Sequence, residues 1–356
     1  MGFFFILFYP TPKLLVTPDF GRSDAWHFSI STKYIYWEEL KNNRLPLWTP
    51  LLGGGFPLFA EGQIGALFLP NIIIFKLFDF PFAYNASLVI TVMIFAFGIY
   101  LLIRTFTGSV AASFFGAVTG SLSGIIIPQL PHITLLQGLS LMPWVLLATY
   151  CLIKKQTGLR IAALAFIVAE QLYTGFPQAV FISLLLSTCF CIWNSRPLKK
   201  NSNILIFYAC AIILGIGLSS IQLIPSFEFL TQSSVAKGFS AGEATYFSFP
   251  WSHIKTLFDP YLLGNPQFGS YPHFASFDGS IFWENTAYIG WLPLLFAVYA
   301  ILNGLLSGVQ NKTKKMVWFF VGILGIALLL MTGKHSPLYL VYSIWPFTLF
   351  RVQSRF

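Results

Sequence analysis

The chain has 356 residues, 56% of them hydrophobic and only 9% charged, with a mean hydropathy of +0.72. That balance excludes an ordinary soluble domain. The net charge of +9 does not mark a nucleic-acid binder, because its compact basic clusters fall in short loops between apolar runs, where the positive-inside bias explains them.

From the N-terminus, Met1 to Tyr9 is too short to span and carries no small-residue cleavage site, so no signal peptide is read. Both ends of the chain read as cut, and a longer protein is expected. Apolar runs able to cross a core of about 30 Å are expected near 1–16 (incomplete), 84–104, 109–127, 138–153, 158–173, 176–194, 203–225, 286–308, 315–332 and 337–350 (incomplete or bent). The fold class is therefore an all-α polytopic membrane protein. It divides into a first span (1–16), a first outer loop with interfacial or re-entrant helices (17–83), a helical bundle (84–225), a long outer loop (226–285) and further spans (286–356).

Charge sets the sidedness. The loops bearing Arg104, Lys154, Lys155 and Arg160, then Arg196, Lys199 and Lys200, then Lys312, Lys314 and Lys315 all fall on one side, read as cytoplasmic. The opposite side receives 17–83, 128–137, the turn at Gly175 and 226–285. Residues 64–79 are apolar enough to span, but counting them would reverse Arg104, Lys154 and Lys155. Pro70-Asn71 also interrupts the run, so a re-entrant or interfacial element is expected there. Residues 26–42 read as a surface-lying amphipathic helix with Trp26, Ile30, Tyr34 and Trp37 on one face.

The carboxylates of the first outer loop are the leading chemical groups. Asp19 and Asp24 are separated by a loop bearing Gly21, so both could face one cavity, and carboxylates near lipid are costly unless used. Asp24 could equally cap the following helix. Glu61 in AEGQ is either a site residue or a solvated turn. Gly53-Gly54-Gly55 lacks the context of a phosphate loop and reads as a flexible turn. Gln129, His132, Glu170, Gln171, Gln178, Gln222 and Glu228 gather toward the outer ends of spans. Helix–helix hydrogen bonding explains many of them, while the one-sidedness suggests a wet cavity opening outward. The loop 226–285 holds His253, Asp259, His273, Asp278 and Glu284 among many aromatics, in no metal-binding spacing. It suits a sugar-binding surface or interfacial anchoring. The four cysteines, Cys151, Cys189, Cys191 and Cys210, lie within spans and read as apolar packing.

The strings PDFGRSDAWHF, LPLWTPLLGGGFPLFAEGQ, LPH followed by LSLMPWVLL, GFPQ, DPYLLGNPQFGSY and GKHSPLYLVYSIWPFTLFRVQSR resemble the YfhO-like bacterial membrane proteins over essentially the whole chain. Gln353 departs from that pattern, where proline is usual. The resemblance implies a GT-C-type glycosyltransferase in the plasma (inner) membrane, with its site on the extracytoplasmic face. Such an enzyme takes a sugar from a polyprenyl-phosphate carrier and passes it to an envelope glycan or lipid acceptor. It implies Asp24 as the catalytic position, with Asp19 second. Glu61 and Gln63 would stand at the mouth of a lipid-phosphate groove, with His132 and Gln178 in the outward cavity. Arg22, Arg351 and Arg355, or a divalent metal at Asp19 and Asp24, would offset the phosphate charge. The partners implied are the bilayer, the polyprenyl-phosphate-linked sugar and its acceptor, and no nucleic acid. A transporter or lipid flippase, or a non-catalytic assembly protein, are the readings from other classes.

Overall fold

The computed structural model describes residues 25–195, 203–272, 281–306 and 312–356. The expected span 1–16, together with Asp19, Arg22 and Asp24, lies outside them, as do His273 and Asp278. Among the described residues the protein is all helical; the nearest approach to a sheet is one bridge between Thr49 and Phe56. The described residues form two compact units, one running up to Thr105 together with Leu130–Ser233, the other Phe106–Gln129 with Ser234–Phe356.

In the first unit, a π-helical turn (Ala25–Ile30) leads into α1 (Ser31–Lys41). Pro70 opens α2 (Leu69–Leu77), where its missing N–H costs nothing. At nine residues α2 is about 14 Å long, too short to cross a bilayer. After Pro81 the sequence has no proline, and no charge before Arg104. That stretch forms α3 (Phe80–Thr107), whose 28 residues reach about 42 Å. Next come α5 (Ile133–Ser140) and α6 (Met142–Lys154), which together form one continuous apolar span, then α7 (Gly158–Tyr173) and α8 (Pro177–Ser195). Last are α9 (Ile204–Leu218) and α10 (Ser220–Thr231). Gly215 lets α9 approach α7 closely, since a Cβ there would lie 2.8 Å from Ala165 O. Tyr208 OH and Ser187 Oγ, 2.7 Å apart, join α9 to α8.

The second unit holds α4 (Val110–Ser121), α11 (Trp291–Leu306) and α12 (Lys312–Met331). Phe115 of α4 meets Phe296 of α11 edge to face, centroids 5.4 Å apart. A small core of Ala244, Leu330 and Tyr342, flanked by Phe239, Leu338, Phe347 and Phe356, gathers the turns that precede and follow α12.

Among the described residues four helices are long and apolar enough to cross a membrane: Phe80–Thr107, Ile133–Lys154, Pro177–Ser195 and Lys314–Met331. A fifth is added if the bent pair Ile204–Leu218 and Ser220–Thr231 counts as one. We read the chain as a helical membrane protein on that basis. Two expected spans are corrected, and a third is bent. Residues 337–350 form short 3-10 turns, Tyr339–Ser343 and Phe347–Leu349, because Pro337 and Pro346 deny the backbone two donors. Residues 109–127 are helical only to Ser121. Gly120, Ser121, Ser123 and Gly124 propagate a helix poorly, and the Gly124 N–H bonds Tyr288 O instead (2.7 Å). Residues 203–225 are broken by a 73° bend at Ser219.

On α1, Tyr34 and Trp37 share a face and cluster with Phe80, while the most deeply buried side chains are Thr32, Lys33 and Tyr36.

Candidate functional site

In the first unit α6 and α7 run antiparallel. Lys154, Lys155 and Arg160 therefore lie at one end, and Arg160 donates there to Cys151 O (2.6 Å). The other end collects the start of α5, the turn at Gly175, the start of α8 and the junction of α9 with α10, where Tyr173 OH donates to Leu218 O (2.6 Å). The segment 58–71 docks into this second end.

Its docking is specific. Five of its carbonyls accept from side chains of four different helices. Phe59 O takes Gln222 Nε2 at 2.7 Å and Gln63 O takes Thr134 Oγ1 at 2.8 Å. Ile64 O takes Lys33 Nζ at 2.5 Å, Gly65 O takes Asn71 Nδ2 at 3.0 Å, and Ala66 O takes Tyr36 OH at 3.0 Å. Beneath them Asn71, Ser87 and Gln137 form a closed buried network, with Gln137 Nε2 2.7 Å from Asn71 Oδ1 and Ser87 Oγ 3.2 Å from it. Glu170 of α7 accepts from the Leu69 N–H (3.0 Å) and so caps the first turn of α2, whose free amides favour a carboxylate.

The docked segment turns a corner at Glu61, Gly62 and Gln63, with Gln63 exposed, Glu61 half-buried and Gly62 buried. The Gln63 backbone N–H donates to Glu61 Oε2 at 2.9 Å, and the Gln63 amide donates to Glu61 Oε1. Burial raises the Glu61 carboxyl to about 7, outweighing the two Gln63 hydrogen bonds that favour the carboxylate. A carboxyl that gains and loses its proton near neutrality is suited to proton transfer or to hydrogen bonding a phosphate or hydroxyl.

Lys33 lies under the same corner. It is 1% exposed, with the rings of Phe75 and Tyr36 at 5.6 and 5.9 Å from Nζ. Burial lowers its amine to about 7, and the same cause raises the Tyr36 phenol.

The expected site residues distribute as follows. Glu61 and Gln63 are brought together. His132 is half-buried at the start of α5, two residues from Thr134, the donor to Gln63 O. Gln178 is buried in the first turn of α8. Arg351 and Arg355 belong to the second unit. There Arg355 makes a two-pronged ion pair with Glu284, its Nε 2.9 Å from Oε2 and its Nη2 2.5 Å from Oε1, with the Glu284 side chain 5% exposed. Arg351 lies over the Phe247 ring at 5.9 Å. Gln353 is fully buried and donates to Ala244 O (2.7 Å) and Phe350 O (3.0 Å). Burial pushes His253 of the same unit down to about 4. No cluster of three or more His, Cys, Asp or Glu suited to a metal occurs among the described residues; Asp19 and Asp24, the pair expected to hold one, lie outside them.

Sequence reasoning missed Lys33, Tyr36, Thr134, Asn71 and Gln137. The one signal in reach was a lysine amid aromatics, WHFSISTKYIYW. Comparisons with family models, with curated proteins and with solved structures each return no match.

Proposed function

We propose that the protein is a membrane glycosyltransferase of the GT-C type. It moves a sugar from a polyprenyl-phosphate donor to an acceptor on the outer face of the inner membrane. The observation that carries this reading is the docked segment 58–71. It is a non-spanning loop held by hydrogen bonds at one end of a helical bundle, away from Lys154, Lys155 and Arg160, and it presents a near-neutral carboxyl beside an amide. The resemblance of the first loop to YfhO-like proteins supports it further.

In this reading Asp24 takes the proton of the acceptor hydroxyl. The hydroxyl oxygen attacks the anomeric carbon, the bond from that carbon to the phosphate oxygen breaks, and the lipid phosphate leaves. Glu61, protonated, hydrogen-bonds the phosphate, and Gln63 orients it. Arg22 offsets its charge. The test is Asp24→Asn, which keeps size and removes charge. Sugar transfer in membranes falls at least about 10²-fold while expression and thermal stability hold. Active Asp24→Asn protein with about 1 kcal/mol less stability would mark a helix cap instead.

A transporter is the second reading, favoured by the buried amides Asn71, Gln137 and Gln171 inside the bundle. A transporter opens to both sides. Cysteines along the Lys154 end of α6 and α8 that react with an outside reagent in any substrate condition would favour it.

A further inference from the structure

Lys33 has no place in the transferase reading, yet its setting is the most unusual in the first unit. A protonated lysine has three N–H donors and a full charge. The cage around Nζ supplies one carbonyl, Ile64 O at 2.5 Å, and the ring faces of Phe75 and Tyr36. Among the described residues no carboxylate pairs with it. On α1 itself Glu39 is paired with Arg44 (2.8 Å), and Glu38 is exposed. Lys41, with Asp79 3.9 Å away, lies at the far end of the helix. From α2, Lys76 is bound to Leu40 O and Asn43 Oδ1, both at 2.6 Å. From the docked segment, Glu61 is engaged by Gln63. α3 carries Tyr84, a buried phenol, and Tyr36 spends its own hydroxyl on Ala66 O. A neutral amine satisfies this cage with one hydrogen bond. An ammonium leaves two donors and its charge unsolvated, which favours its escape to water.

We propose that Lys33 is a positioning residue for the Glu61–Gln63 corner, and that the corner is released when the amine takes up a proton. The link is mechanical. Ile64 O is the next carbonyl after Gln63, so losing its donor frees the Ile64 link of the corner, while Thr134 and Gln222 still hold Gln63 and Phe59, and Asn71 and Tyr36 hold Gly65 and Ala66. The segment then opens locally rather than unfolding.

The experiment is hydrogen exchange of a peptide covering 58–68, with the whole protein in lipid nanodiscs at pH 8 and pH 6, corrected for the intrinsic pH dependence of exchange. It uses no activity, so it stands whether or not the protein transfers sugar. Glu61 titrates in the same range and favours the closed corner at the lower pH, so the effect of Lys33 is read in Glu61→Gln, where that opposing titration is removed. In Glu61→Gln, protection of this peptide falls about tenfold from pH 8 to pH 6, the size set by one proton on a group that titrates near 7. Lys33→Met, alone or combined with Glu61→Gln, lacks the proton site and shows no fall. Glu61→Gln protein equally protected at both pH values overturns the proposal. So does a fall that persists in Lys33→Met or in the double variant.

Discussion

Gly62 and Gly175 stand back to back in the first unit: a Cβ built on Gly175 would overlap the carbonyl of Gly62. Both glycines also have left-handed backbones, φ +88° and +75°. This contact seats the docked segment against the turn between α7 and α8, and no other residue type fits at Gly175.

The first prediction follows from that contact. Gly175→Ala adds the left-handed cost of a side chain to a backbone collision and destabilises the protein by about 3 kcal/mol or more. Gly53→Ala is the control. Gly53 also has positive φ (+57°), but nothing lies within 4 Å of its Cβ position, so it costs only about 1 kcal/mol. Thermal unfolding in detergent ranks the two. Equal losses would mean that the Gly62–Gly175 approach does not hold the segment.

The second prediction concerns Glu61. Its folded carboxyl titrates near 7 against 4.5 for the ordinary group, so the folded state favours the proton. That contribution is fully present below about pH 4.5 and is lost as pH rises through 7. Glu61→Gln, which mimics the protonated form, keeps it at every pH. The stability of the variant relative to the wild type therefore increases between pH 4.5 and 7 and is level above. Unfolding midpoints across pH 4–8 check the sign. A relative stability that stays flat across this window removes the raised carboxyl.

The third prediction tests Arg355. Its ion pair with Glu284 is largely buried, so Glu284→Gln strands a guanidinium and costs about 3–5 kcal/mol. The double replacement Glu284→Leu with Arg355→Met recovers most of that loss, since it removes both charges together. An Arg355 kept for a phosphate rather than for Glu284 gives the opposite result, with Glu284→Gln nearly neutral and donor binding strengthened.

The long helices were legible because their signal is local: α3 runs from Pro81 to Arg104 without a charge or a second proline. The break at Pro70-Asn71 was legible for the same reason. The fate of 109–127 was not, because its last residues are apolar while its backbone is claimed by Tyr288, far along the chain. Residues 337–350 were misread by weighing hydrophobicity above Pro337 and Pro346. Of the candidate site, Glu61 and Gln63 stood out as polar residues in an apolar setting. Their supports did not. Lys33 occupies a helix position that periodicity assigns to neither face clearly, and its burial depends on a carbonyl 31 residues away. Thr134 and Tyr36 are ordinary residues whose meaning is set by what they touch.

The docked segment is gripped by its carbonyl oxygens, at Phe59, Gln63, Ile64, Gly65 and Ala66, and a carbonyl is the one acceptor every amino acid carries. Its attachment is therefore indifferent to the identity of most of its side chains. Positions 60, 61, 63 and 67 can be rewritten while Gln222, Thr134, Lys33, Asn71 and Tyr36 keep the backbone where it is. A descendant of this chain could change what its corner recognises by substitution there alone, with the scaffold inherited intact.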